Sequence, residues 1–409
     1  MNILVVGNGF DLAHDLPTRY SDFLDFMTLY ITKNYPDWQA WGGDSSSNDF
    51  SLRKYYNSTI LKVSEKITKN SKVRIFFNDY EEKFKSQINR QESLKEFYWN
   101  TFLRYCIGYY SYKLAFNSEF NWIDIENEIF KFLTELQKQT FSDENLEKLS
   151  IMMPRMSDSG TREIVPFFIS NVYNHLHSKD IPPESLRKEI FRYLFGELEN
   201  FSLLLKFYLK IVSEDFQKNP TPKFKINFKD NSGGYNGIFV DKILSFNYTD
   251  TFKIYMPPDS ISFVNGSLED DNIILGIENF NSEDNNFNDD IAFFYKNVQR
   301  VLYNFYYDYK KWGNYNDSKI IKVNNENILS GGKQIYIIGH SLASSDKYIL
   351  KDLMMNANKV TIYYYNLKDR EDKISNLYKI LGDQKFSQHV NNSSASPYIK
   401  LVNQSEIYR

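Results

Sequence analysis

Apolar and polar positions divide the chain into three kinds of stretch. The first is a short apolar run that stops at a glycine or polar turn. Asn2 to Val6 (NILVV) stops at Gly7-Asn8-Gly9-Phe10-Asp11, Ile243 to Phe246 at Asn247-Tyr248-Thr249-Asp250, and Gln334 to Ile338 (QIYII) at Gly339-His340-Ser341. Runs of this length, bounded by turn residues, predict buried strands. Further strand-length runs lie at 224–228, 237–240, 261–264, 273–275 and 360–364. The second kind has helical spacing. Phe23, Phe26, Met27, Tyr30 and Ile31 share one face over 21–34, a helix expected to carry the first glycine turn at its start. Trp122, Ile125, Ile129, Phe132, Leu133 and Leu136 repeat the pattern and put Asp124, Glu126 and Glu128 on or near the other side. Leu194, Leu198, Phe201, Leu205 and Tyr208 extend it through 183–216, and helices are also expected over 291–312, to about Asn356 and to about Leu381. The third kind is polar and reads as loop or turn: 36–51, Ser232-Gly233-Gly234, and the Asn- and Asp-rich 279–290.

Strands alternating with helices at both ends of the chain predict an α/β fold with a mostly parallel sheet covered by helices on both faces. The helical middle is then a large insertion. The boundaries read as a discontinuous domain over 1–35 and 224–382, a helical insertion over 52–216, and a peripheral C-terminal tail over 383–409. Ligands of such sheets bind at the carboxyl ends of the strands, where the turns after Val6, Phe246 and Ile338 would converge.

Composition narrows the function classes. The chain has 33 Phe and 31 Tyr among 409 residues, an excess expected to fill core positions and not to stack bases. Its net charge of −3, with signs mixed, gives no global basic field for nucleic acid. Cys106, the single cysteine, allows neither a disulfide framework nor a cysteine zinc site and suits a reducing cytosol. The N-terminal apolar run breaks at Gly7, too soon for a signal peptide, and no stretch reaches the roughly 18 apolar residues of a membrane span. A cytoplasmic protein is expected.

A strand that empties into glycines and then a helix makes an anion cradle, because glycine lets backbone N–H groups approach phosphate. That reading predicts a nucleotide site at Gly7, Asn8, Gly9 and Phe10, although two glycines also occur in plain strand-to-loop turns. Asp11 would repel phosphate there, so it suits a ribose hydroxyl, a positioned water or a helix cap. Asn247 can donate to one sugar oxygen and accept from another or from water, or can simply end a strand. Asn265-Gly266-Ser267 reads as a turn. His340 fits a ribose contact or an acid–base role near neutral pH, and Ser344 or Ser345 a helix cap. His14 flanks the cradle, while His175 and His177 have no evident partners. No histidine–carboxylate spacing speaks for a metal.

Gly7-Asn8-Gly9-Phe10-Asp11-Leu12-Ala13-His14 with Leu16-Pro17-Thr18 and Tyr20 resembles the opening block of the AbiH family of bacterial phage abortive-infection proteins. Trp122-Ile123-Asp124-Ile125-Glu126, Ser245-Phe246-Asn247-Tyr248-Thr249, Gly266-Ser267 and Ile338-Gly339-His340-Ser341-Leu342 follow in family order over nearly the whole chain. Such proteins in turn resemble sirtuins and sirtuin-like NAD-consuming defence proteins. Gly7, Gly9 and Pro17 match the sirtuin glycine loop, Asn247 the asparagine of its Asn-x-Asp turn with the acid one residue later at Asp250, and Gly339 and Ser341 the loop that holds the adenosine ribose. The resemblance implies a Rossmann-like (sirtuin-like) sheet that binds NAD through Gly7, Asn8, Gly9, Phe10, Asp11, Pro17, Thr18, Tyr20, Asn247, Tyr248, Asn265, Gly266, Gly339, His340 and Ser341. Asn247, Asp11 and His340 would be catalytic, with no metal.

Two departures stand out. Asn265 replaces the histidine that serves as base in the sirtuin-like pattern, which would move that role to Asp11, His14 or His340. Asp15 replaces a glycine of the first loop, and Asp tolerates positive φ better than most residues. The leading expectation is an abortive-infection effector that hydrolyses the nicotinamide–ribose bond of NAD, with a phage-derived trigger and self-association as possible partners. The alternatives are a nucleotide-binding sensor or scaffold without turnover, and a nuclease or RNA-targeting toxin built on Asp124, Glu126 and Glu128.

Overall fold

The computed structural model describes residues 1–35, 50–69, 71–116, 124–137, 183–227, 237–255, 261–277, 289–305, 308–312, 319–323, 326–330, 332–343, 346–392 and 394–409. The chain forms two units: Met1–Thr18 with Val212–Ile273 and Arg300–Arg409, and Arg19–Ile211 with Ile274–Gln299.

The first unit is built on β1 (Asn2–Val6), β4 (Lys242–Ser245), β5 (Ile261–Phe263), β8 (Gln334–Ile338), β9 (Lys359–Tyr364) and β10 (Tyr398–Asn403). They form one sheet in the order β10-β9-β8-β1-β4-β5, and every neighbouring pair is parallel. β1 lies inside the sheet and feeds both faces, which is why it reads as an unbroken apolar run. Ile3 and Val5 join one core with Leu244, Ile337 and Ile362, while Leu4 and Val6 join another with Phe10, Ile243 and Ile338. Val6 is in register with both Ser245 and Ile338, so the three predicted turns leave the sheet at one edge. The chain fills the β4 side of β1 first and returns to fill the β8 side. The direction of progress therefore reverses between β1 and β8.

Five sequence expectations change. A separate six-residue helix, α1 (Asn8–Ala13), starts directly after β1, and the helix expected from Ser21 is α2 (Tyr20–Asn34). The runs at 224–228 and 237–240 shrink to β2 (Ile226–Asn227) and β3 (Ile238–Phe239), which pair with each other outside the main sheet. The tail over 383–409 supplies β10, an edge strand of the main sheet, besides a short helix at Asp383–His389. The helix expected over 291–312 breaks into a 3-10 turn at Asp289–Phe294, a helix at Lys296–Leu302 and a second turn at Asp308–Lys311. The break has a visible cause: Ile277 donates its N–H to Phe294 O and accepts from Lys296 N, both at 2.8 Å, which diverts the backbone groups a continuous helix needs. The run at 273–275 forms no strand. A hairpin of β6 (Lys319–Val323) and β7 (Glu326–Ser330) and the expected helices at Lys347–Met355 and Leu367–Leu381 complete this unit.

The second unit is helical, and aromatic rings fill its core. Phe26 of α2 packs on Phe84 at 5.0 Å and Tyr208 at 5.2 Å between centroids, and Phe23 on Phe201 at 5.7 Å. Ile125, Ile129, Phe132, Leu133 and Leu136 are buried along the helix Ile125–Gln137 as their spacing predicts. Glu128, expected near the other side, is buried as well. Trp122, His175, His177, most of the 36–51 and 279–290 loops and the 232–234 turn lie outside the described residues. No helix among the described residues is long and apolar enough to cross a membrane.

Candidate functional site

The two glycine turns at the edge of the sheet pack on each other through bare backbone. Gly7 donates its N–H to Ile338 O at 3.1 Å, Gly9 to Gly339 O at 2.8 Å, and Phe10 to Gly7 O at 2.8 Å. A Cβ on Gly9 would stand 2.8 Å from the Cα of Gly339, and one on Gly339 would stand 2.0 Å from Phe10 N. Gly339 also has φ +69°, so both space and conformation exclude a side chain there. Close approach of two loops thus accounts for these glycines, and three of the N–H groups expected to face an anion are bonded inside the fold. Asn8 accepts from the Thr18 hydroxyl at 2.6 Å, which ties the end of the loop back to its start. Asp15 adopts φ 66°, a conformation Asp tolerates better than most residues, and its carboxylate meets Lys223 at 3.1 Å.

Asp11 lies among these turns with one carboxyl oxygen left over. It is 1 % exposed, its Oδ2 accepts from the Thr249 hydroxyl, and its Oδ1 has no partner. The Thr251 hydroxyl, also buried, closes no hydrogen bond but lies beside the same carboxyl. Burial pushes the Asp11 carboxyl up to about 6, opposed by Thr249, Thr251 and Asn247 and reinforced by the charge of Asp250. Thr251 and Asn247 both lie near enough to the carboxyl to lower its pKa. Asn247 is oriented by its neighbours: its amide donates to Gly7 O at 3.1 Å, and its N–H to the Ser245 hydroxyl at 3.1 Å. An unpartnered buried oxygen costs about 1–3 kcal/mol, so it calls for an account.

The histidines are differently placed. Tyr255 Oη accepts the N–H groups of Lys223 and Phe224 at 2.8 and 3.0 Å, so its own proton goes to His14 Nε2 at 2.9 Å. The proton of His14 then sits on Nδ1 and is donated to Phe10 O at 2.8 Å. Burial pushes His14 down to about 4, and the ring is neutral with both nitrogens engaged. His340 Nδ1 accepts the Leu342 N–H at 2.9 Å, its Nε2 lies 3.4 Å from Asp346 Oδ2, and its ring meets the edge of Phe246 at 4.5 Å. Leu342 has φ 57°, so the His340 contacts brace a strained turn.

Asn265 is engaged at both ends of its amide. Nδ2 donates to Phe246 O at 3.2 Å, and Oδ1 accepts from Arg300 Nη2 at 2.9 Å. Of the remaining expected residues, Gly266 has φ +81°, Tyr248 O accepts from Leu268 N, and Ser341 O accepts from Asn376. Pro17 and Thr18 follow α1, while Tyr20 opens α2 in the helical unit. Gly7, Gly9, Asp11, Asn247, Gly339 and His340 are therefore brought to one edge. The three carboxyls of the nuclease reading have other duties: Asp124 caps Asn127 N at 3.0 Å, Glu126 pairs with the buried Lys296 at 2.7 Å, and Glu128 with Lys131 at 2.6 Å. Among the described residues no group of three or more His, Cys, Asp or Glu is placed to hold a metal ion. Thr249, Thr251, Tyr255 and Arg300 were not expected. Thr249 lay inside a quartet already singled out, and the other three carried no signal of their own.

The fold and this edge define an α/β protein whose mostly parallel sheet gathers buried polar groups beyond the ends of its strands. The family model for bacteriophage abortive infection AbiH matches residues 3–366, and the chain belongs to the AbiH family. No match was found among curated proteins or solved structures.

Proposed function

We propose that this AbiH protein acts in bacteriophage abortive infection by taking NAD or a related nucleotide at the carboxyl edge of its sheet and hydrolysing the bond between nicotinamide and ribose. The observation that carries the reading is Asp11, buried in the helix α1 that follows the interior strand β1, with one oxygen unpartnered. The strand order supports it. Numbered along the chain, the six strands run 3-2-1-4-5-6, the order of doubly wound Rossmann-like sheets, whose ligands bind where the direction of progress reverses.

Above about pH 6 Asp11 is a carboxylate, suited to face the positive charge that develops on the ribose carbon. A water oxygen bonds to C1′ as the C1′–N bond breaks. The bonding pair leaves with nicotinamide, and the water's proton passes to Asp11 and then to solvent. Asn247, fixed by Gly7 O, orients the ribose or the water. Because Asp11 is 1 % exposed, the turn carrying Thr249 must part from α1 for entry and close again, a common way to exclude water. A phage-derived component would supply the signal for that opening.

The test is incubation of purified protein with NAD, with nicotinamide followed by chromatography beside Asn247→Ala. Release that depends on Asn247 supports the reading, and release unchanged in the variant sinks the mechanism. A second reading, a nucleotide sensor without turnover, is favoured by Asn265, whose amide is fully engaged where a base would stand. NAD that raises the melting temperature with no nicotinamide released identifies it.

A further inference from the structure

We infer that the site recognises the cationic N-ribosyl end of its ligand and makes no use of the pyrophosphate, so that nicotinamide riboside serves it about as well as NAD. This rests on the nucleotide reading above and specifies its substrate class. A pyrophosphate needs unspent N–H groups, a helix N-terminus or cations. The N–H groups of Gly7, Gly9 and Phe10 are bonded to Ile338 O, Gly339 O and Gly7 O, and the space a phosphate would need beside Gly9 is filled by Gly339. The helix that follows has only six residues and carries Asp11 in its first turn.

Three cations beside these loops already have partners. Lys253 pairs with Asp250 at 2.7 Å, Lys223 with Asp15 at 3.1 Å, and Arg300 holds Asn265 at 2.9 Å. The buried groups that close no hydrogen bond are of the opposite kind, Asp11 Oδ1 and Thr251 Oγ1, and the Thr251 hydroxyl lies beside the Asp11 carboxyl and lowers its pKa. Oxygens of this sort accept from sugar hydroxyls or face a positive centre, and a pyridinium riboside offers both. Its hydrolysis balances without a further reactant, since the riboside cation and water give ribose, neutral nicotinamide and one proton.

The experiment compares nicotinamide riboside, NAD and ADP-ribose with the full chain, reading nicotinamide release and the shift in melting temperature. The expected result is a kcat/KM for the riboside within about tenfold of that for NAD, and no thermal shift with ADP-ribose. If the protein binds without turnover, equal thermal shifts with riboside and NAD carry the same conclusion. An NAD preference above tenfold, or stabilisation by ADP-ribose, overturns this inference and leaves the nucleotide reading standing. No release and no shift with any of the three overturns both.

Discussion

Asp11 and His14 lie three residues apart, both nearly inaccessible, yet their surroundings are completed to different degrees. Around His14, the rings of Phe10, Phe216, Phe224 and Tyr255 close in, and each imidazole nitrogen has a partner. Around Asp11, Oδ2 accepts from the Thr249 hydroxyl, Oδ1 closes no hydrogen bond, and among the described residues no cation pairs with it. A closed network of this kind stabilises a fold. An open one costs stability and persists where a ligand completes it.

The largest expected effect of breaking that contrast is on turnover. Asp11→Asn should lower nicotinamide release by about 100-fold or more, the usual scale for a lost acid–base group, while raising the unfolding free energy at pH 7.5 by roughly 2 kcal/mol. A variant that loses stability together with activity would show that Asp11 belongs to the same closed class as His14.

The pH dependence of stability sharpens the comparison next. Asp11 binds its proton more tightly folded than unfolded, so its contribution falls as pH rises from about 4 to about 6, by roughly 3 kcal/mol. His14 holds its proton less tightly when folded, so its contribution rises as pH climbs from about 4 to 6.5, also by roughly 3 kcal/mol. The two slopes oppose each other in the native protein. Urea titrations of Asp11→Asn should therefore uncover a rising profile, and those of His14→Gln a falling one. Parallel profiles for the two variants would refute the assignment.

Smaller effects follow at the partners. His14→Phe keeps the ring packing but strands the Tyr255 hydroxyl and Phe10 O, which should cost about 1–2 kcal/mol and leave kcat within about twofold. Asn265→Ala should cost about 1 kcal/mol by denatured-state titration, because Phe246 O and Arg300 lose one bond each. A larger drop in turnover than in stability would give Asn265 a part in the chemistry.

Much of the sheet could be read from the chain because β1, β4 and β8 are apolar runs that end abruptly at polar or glycine turns. Their register then brings those turns to one edge. β10 escaped notice because it is an edge strand, with only Ile399 fully buried among partly exposed residues. The helix expected over 291–312 failed for a nonlocal reason, the backbone exchange between Ile277 and residues 294 and 296. At the site, Asp11 and Asn247 could be named from their place after strands. The meaning of the glycines could not, since Gly9 and Gly339 meet only through the tertiary fold. The engagement of Asn265 depended on Arg300, which no local pattern marks.

The interior position of β1 also bears on how the protein is made. Its neighbours β4 and β8 begin at Lys242 and Gln334, so this strand waits for synthesis of more than two hundred residues before it can pair. At 5–20 residues per second that delay is on the order of 12–50 s. Throughout it, Asn2–Val6 is a sticky apolar segment of a nascent chain, a natural client for the chaperones that greet emerging polypeptides.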